Sequence, residues 1–231
     1  MLNNPNKGKF IVIEGTDGSG KATQVKLLAE RFKKENKGVK TIDFPRYYDN
    51  FFGKFIGNCL AGDFGDFLET SPYIASALYA ADRFESSREM RKWLDKGYIV
   101  IADRYVSSNQ IHQGGKIKSE NERKKFLDWV EKMEFEVFKI PRPNLIIYLN
   151  VPLNVTQRLL INKEKSRKKR YLKGKKDLHE NNKNHLENAK RSALDLVKRF
   201  NNWVQIDCVK GGKLMTKKEI SNLVWDIAKK L

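Results

Sequence analysis

Three residues near the amino terminus carry the first chemical signal. Gly15, Gly20 and Lys21 fit the spacing G-x-x-x-x-G-K within FIVIEGTDGSGKATQVKLL, residues 10–28. Glycines at these places let backbone N–H groups turn inward around phosphate oxygens. The helix that follows offers its positive amino end, and the lysine adds a point charge. The bare pattern arises by chance in a chain rich in glycine and lysine. Its position, directly after an apolar strand and directly before an amphipathic helix, is what the mechanism demands. Gly15, Thr16, Asp17, Gly18, Ser19, Gly20, Lys21, Ala22 and Thr23 together form the candidate phosphate cradle.

Ala22 follows the lysine, where a magnesium-binding hydroxyl is usual. Thr23 lies roughly 100° further round the helix and is a poor substitute. Magnesium keeps several waters and takes only one or two carboxylates. Its ligands are therefore sought at strand ends: Glu14 closes KFIVIE and Asp103 closes YIVIAD. Asp103 opens a second constellation, DRYVSSNQIHQGGK at 103–116, with Arg104 beside it. An Asp–Arg pair also serves to cap a turn. Tyr79 and Arg83 are spaced i, i+4 and so share a helix face, a suitable pairing for stacking on a base and donating to one of its oxygens. A core aromatic is the plainer reading of Tyr79.

The elements that must position these residues alternate along the chain. KFIVIE (9–14), VKTIDF (39–44), YIVIAD (98–103), LIIYLN (145–150) and WVQID (203–207) have the character of strands. Residues 20–36, 71–96, 120–139, 178–200 and 217–230 have helical spacing. This order predicts an α/β fold, an open parallel five-stranded sheet with helices on both faces, whose ligands bind at the carboxyl ends of the strands. The 231 residues suit one domain, 1–231. No apolar run is long enough to span a membrane, and MLNNPNKGK lacks a signal-peptide core. Two cysteines, Cys59 and Cys208, make no disulfide scaffold. The expected location is the cytoplasm.

The formal net charge is +18, and KEKSRKKRYLKGKK (163–176) holds nine basic residues and one acidic one, a net of +8. Such a balance fits either a nucleic-acid protein or an enzyme for polyanionic small substrates. Against nucleic acid, no aromatics interleave regularly with the basic run, and the phosphate loop would be left unused.

Four motifs in order, EGTDGSGKATQ, FPRY (44–47), ALYAADRFE (77–85) and DRYVSSNQIHQ (103–113), resemble those of the thymidylate kinases. These are P-loop nucleoside monophosphate kinases that move a phosphoryl group from ATP to dTMP. With PNLIIYLNVP (143–152) and the basic segment, the resemblance covers about residues 9–200. It implies ATP as donor on the loop 15–23, Mg2+ as cofactor, and dTMP as acceptor. Asp17 would approach the sugar 3′-hydroxyl, Tyr79 would stack on the thymine and Arg83 would reach a base carbonyl. Arg104 and Arg46 would hold the acceptor phosphate. Phe44, Ser108, Asn109 and Gln113 would line the acceptor site, with Gln113 placed to read the N3–H edge. Gly18 stands where some members carry a catalytic arginine; others supply basic residues from a mobile lid, here about 158–176 with Arg158, Arg167 and Arg170 as candidates. The catalytic set is then Lys21, Asp103, Arg104, Arg167 and Arg170. Asn150 stands where the family commonly has an acid. The loop near CVKGGK (208–213) is expected at the adenine. A homodimer packed through 71–96 and 120–139 is also implied. His112 and His179 are assigned structural or surface places.

Overall fold

The computed structural model describes residues 7–67, 69–164 and 183–231. Five strands, β1 (Phe10–Gly15), β2 (Val39–Asp43), β3 (Ile99–Asp103), β4 (Leu145–Asn150) and β5 (Trp203–Asp207), form one all-parallel sheet in the order β2-β3-β1-β4-β5. Each expected strand is found within a residue or so. Side chains alternate across the sheet, so each strand feeds two cores. Phe10, Val12, Val100, Ala102, Ile146 and Tyr148 enter one core. Ile11, Ile13, Ile101, Leu145, Ile147 and Leu149 enter the other.

Helices close both faces. On the second core lie α1 (Lys21–Lys34) and the carboxyl-terminal helix α8 (Lys217–Ala228). Helix α1 buries Gln24, Val25, Leu28, Ala29 and Phe32, one stripe of its surface, and Phe32 meets Trp225 of α8 edge-on at 5.0 Å. On the first core lie α3 (Pro72–Asp95), α4 (Val106–Ser108) with its continuation as a π turn (Asn109–Gln113) and a 3-10 turn (Gly114–Lys116), α5 (Glu120–Glu131), which widens into a π turn at Lys132–Val137, and α7 (Lys183–Arg199). Helix α3 starts as its sequence suggests, with Ser71 ahead of Pro72 at the first helical position.

Helix α4 with its π and 3-10 turns, and two further helices, lie outside the sequence expectation. Helix α2 (Phe51–Leu60) is capped by Asn50, whose side chain accepts from Gly53 N at 2.8 Å, and forms a small third core with α3. Helix α6 (Leu153–Glu164) follows β4. A short antiparallel hairpin, β6 (Val209–Lys210) with β7 (Lys213–Leu214), occupies the CVKGGK region. Among the described residues no helix is long and apolar enough to cross a membrane. Arg167, Arg170 and His179, and most of the basic segment, lie outside the described residues.

Candidate active site

Parallel strands align their carboxyl ends, so β1, β2 and β3 deliver Gly15, Asp43 and Asp103 to one edge of the sheet. The chain leaves β1 through a tight loop. Gly15 admits no side chain there, since a Cβ would come within 2.5 Å of Ser19 Oγ. Gly20 takes φ 90°, a left-handed backbone that favours glycine, and caps α1 without any side-chain bond. The first turn of α1 carries no acidic residue. Its positive end is therefore not offset from within the helix. Lys21 folds back over the loop, its Nζ donating to the carbonyls of Gly15 at 3.0 Å and Thr16 at 3.1 Å, with Asp17 at 3.8 Å. Burial and the charge of Arg104 lower the Lys21 pKa, against the pull of Asp17, Asp103 and Glu14.

The loop forms one wall of a cavity of about 280 Å3. Of the loop residues, Asp17, Gly18, Gly20, Lys21, Ala22 and Thr23 face it, while Gly15, Thr16 and Ser19 lie behind. Phe44, Tyr79, Arg83, Asp103 and Arg104 face it from the sheet edge and α3, and Ser108, Asn109 and Gln113 from the α4 region. These residues lie up to about ninety positions apart in the chain, and the fold gathers them around one space.

Arg104 sits at the centre of that space. Its backbone adopts φ 68°, a left-handed conformation that costs a non-glycine residue about 1 kcal/mol and is commonest at functional sites. Its Nη2 donates to Asp17 Oδ1 at 2.8 Å, and its Nη1 to Ser108 Oγ at 3.1 Å and His112 Nε2 at 3.0 Å. A guanidinium only donates, so Nε2 of His112 is the acceptor. Burial opposes the charge on Arg104, but Asp17, Glu14 and Asp103 outweigh it and raise its pKa. Arg104 is thus a permanent cation beside Lys21, the two sharing Asp17 Oδ1 at 2.8 and 3.8 Å.

Glu14 is fully buried and lies off the cavity wall, accepting the Ser108 hydroxyl at 2.8 Å. Burial pushes its pKa up to about 7, despite the opposing charges of Arg104 and Lys21. Arg46 also lies off the wall. Its side chain reaches Asp49 at 3.1 Å and Glu89 at 3.6 Å, and its backbone N–H donates to Asp82. Asp82 has no exposed surface and burial lifts its pKa to about 6. Arg83 lines the cavity, yet two of its nitrogens are held by Glu134 at 2.6 Å each. Both partners are buried, so removing one alone would cost about 3–5 kcal/mol. Arg158 is exposed on α6, its Nε donating to the Asn154 carbonyl at 3.2 Å.

Several lining residues escaped the sequence reading. Asp43 faces the cavity and pairs in register with Asp103 across β2 and β3. It is open at the rim, where lost hydration and the Asp103 charge raise its pKa. Its place at a strand's carboxyl end was the available signal. Tyr47, Leu60 and Tyr105 also line the cavity. His112 does so too, a correction to its assigned structural place, with its ring stacked on His185 at 5.5 Å. Among the described residues no cluster of three or more His, Cys, Asp or Glu could hold a metal alone. The fit to magnesium is instead that of an ion held chiefly by phosphates and water, because Asp103 and Asp43 stand at the rim beside a loop whose Ala22 offers no hydroxyl.

The sequence matches the model of the thymidylate kinase family over residues 13–220. The chain belongs to the thymidylate kinase family. It is 36% identical over 143 residues to a thymidylate kinase of Mycobacterium tuberculosis, covering 62% of this chain and 65% of that protein. The match thus spans just under two thirds of that relative's length. It is 34% identical over 157 residues to a thymidylate kinase of Plasmodium falciparum, covering 68% of each. The fold superposes on a solved thymidylate kinase of Candida albicans with TM-score 0.71, at 24% identity and over 97% of this chain and 92% of that one. Family membership thus agrees with the four motifs, all of which contribute cavity-lining residues: the loop 14–24, the segment 44–47, the stretch 77–85 and the stretch 103–113.

Proposed function

We propose that the protein transfers the γ-phosphoryl group of ATP to dTMP, forming dTDP and ADP, a step toward dTTP. One observation carries this reading: a single cavity is lined by the phosphate loop with Lys21, by Arg104, and by Tyr79, Arg83, Asn109 and Gln113. The donor triphosphate lies along the loop 15–23, on its backbone N–H groups and on Lys21. The acceptor phosphate takes the Arg104 guanidinium, displacing its contacts with neighbours. The thymine lies against Tyr79, with Arg83, Asn109 and Gln113 around its polar edge, and Asp17 approaches the sugar 3′-hydroxyl.

A dTMP phosphate oxygen attacks the γ-phosphorus while the bond to the β,γ-bridging oxygen breaks and its electrons leave with ADP. A phosphomonoester is already largely ionised near neutral pH, with a second pKa of about 6, so no general base is needed. Positioning and charge neutralisation do the rest. Lys21 and Arg104, which share Asp17 as a partner, supply the neutralising charge. The basic segment 158–176, with Arg158 and, outside the described residues, Arg167 and Arg170, supplies further positive charge to the transferring group. When bound, Mg2+ would offset phosphate charge; Asp103 and its neighbour Asp43 are the residues that would hold it, through its waters.

We further propose a homodimer. Ile74 and Phe84 on α3 and Val137 at the end of α5 are large apolar side chains left 60%, 49% and 64% exposed, on the elements named for that role. The buried cysteines Cys59 and Cys208 suit a reducing cytoplasm. The test is chromatographic. The purified protein with ATP, magnesium and dTMP should form dTDP and ADP in equal amounts, and Lys21→Met should abolish it. An enzyme that binds ATP yet forms no dTDP would overturn the proposal.

A further inference from the structure

A buried ion pair stands behind the acceptor wall, and no step of the transfer uses it. Glu134 lies in the π turn that ends α5 and has no exposed surface. Its Oε2 accepts from Arg83 Nε at 2.6 Å and its Oε1 from Arg83 Nη2 at 2.6 Å. The same Oε1 accepts from Asn109 Nδ2 at 3.1 Å, and the Ser76 carbonyl accepts from that nitrogen at 3.1 Å too. A carbonyl and a carboxylate paired to a guanidinium only accept. The amide nitrogen of Asn109 must therefore face them, and its Oδ1 must turn the other way. Asn109 and Arg83 both line the cavity. Gln113 lines it as well, with its Oε1 buried and without a hydrogen-bond partner.

We propose that Glu134 is a positioning residue that sets the base choice of the acceptor pocket. It clamps the Nε–Nη2 edge of Arg83 while Nη1 donates to the Tyr105 carbonyl at 3.4 Å, leaving the remaining N–H groups of Nη1 and Nη2 for a base carbonyl, and it fixes the Asn109 amide so that an acceptor faces a ring N–H. The inference rests on reading the cavity as the acceptor-nucleotide site. Thymine and uracil carry a ring N–H between carbonyls and match this pattern. Cytosine carries a ring acceptor beside an amino donor, so it sets donor against donor and acceptor against acceptor, which a water-poor site penalises heavily. A glutamine at 134 keeps the shape but turns one N–H toward the donors of Arg83 or Asn109. The Asn109 amide then has no single preferred orientation.

The test is equilibrium binding of dTMP, dUMP and dCMP, with steady-state kinetics and melting temperature, for the parent, Glu134→Gln and Asn109→Leu. Asn109→Leu leaves the Arg83–Glu134 pair in place and removes the acceptor, together with the amide donor to Glu134 and the Ser76 carbonyl. The parent should prefer dTMP and dUMP over dCMP. In Glu134→Gln that preference should fall at least about tenfold, with the dTMP KM raised more than kcat is lowered. Asn109→Leu should lose the same preference. A lower melting temperature with the preference intact in Glu134→Gln would overturn the proposal and leave Glu134 a structural residue. If Glu134→Gln does not fold, an intact preference in Asn109→Leu overturns it instead. A parent that binds dTMP and dCMP alike overturns it too. A parent that binds none of the three overturns the acceptor-pocket reading, and this role with it.

Discussion

Replacing Glu14 by glutamine should flatten part of the pH dependence of stability. Glu14 has no exposed surface, and burial raises its pKa from 4.5 to about 7, with Arg104, Lys21 and Ser108 offsetting only part of the rise. The unfolded chain releases this proton near pH 4.5, whereas the folded chain keeps it until about pH 7. Between those values the folded state binds more protons, so its stability falls as pH rises. Below pH 4.5 the group costs nothing; above about 7 the whole cost is present. Each pKa unit is worth about 1.4 kcal/mol, so the span amounts to about 3 kcal/mol. Glutamine mimics the protonated acid and cannot ionise. The stability of Glu14→Gln minus that of the parent should therefore climb by about 3 kcal/mol between about pH 4.5 and pH 8. Urea unfolding at steps across that range measures it, and taking the difference cancels other titrating groups such as Asp82. Parallel curves for the two proteins would refute the reasoning, because they would mean that Glu14 ionises in the fold as it does in water.

Ala22→Ser should leave the magnesium requirement nearly unchanged, since the ion is held mainly by nucleotide and water; a large drop in the magnesium concentration needed for half-maximal rate would contradict this. Phe84→Glu should shift the protein from dimer to monomer on gel filtration, because Phe84 packs on Phe138 at 5.1 Å within the exposed apolar face; a parent that already runs as a monomer would count against the interface. Thr216→Ala should lower stability by about 1 kcal/mol and leave nucleotide binding alone, since it removes the capping box in which Thr216 Oγ1 accepts from Glu219 N and Glu219 accepts from Thr216 N.

Strands β1, β3 and β4 were legible because buried parallel strands are apolar almost throughout, and the edge strands β2 and β5 by their shorter runs of β-branched and aromatic residues. The phosphate loop was legible because its chemistry is local: a glycine, a lysine and a helix start within seven residues. Helix α2 was not, because FFGKFIGNCL mixes two glycines with aromatics and its polar face is only Lys54 and Asn58. Side-chain roles that depend on distant partners were hidden as well. Glu134 meets Arg83 across 51 positions, and nothing in KMEFEV marks it as buried. His112 differs from an ordinary surface histidine only because Arg104, eight residues back, turns its guanidinium onto it. Asp43 ends a strand whose outer residues alternate with solvent, so its carboxylate reads as surface until the sheet brings Asp103 alongside.

Internal competition gives the most direct test of phosphoryl transfer to dTMP at this cavity. Equimolar dTMP, dUMP, dCMP, dGMP and AMP would be mixed with limiting ATP labelled in its γ-phosphate, magnesium and the purified protein, and the labelled diphosphates quantified. The ratios of products equal the ratios of kcat/KM. The cavity formed by Lys21, Arg104, Tyr79, Arg83 and Asn109 predicts that dTDP dominates, with dUDP the nearest competitor. Dominance of dCDP, dGDP or ADP formed from AMP would contradict the acceptor site, and the absence of every product would contradict the transfer itself.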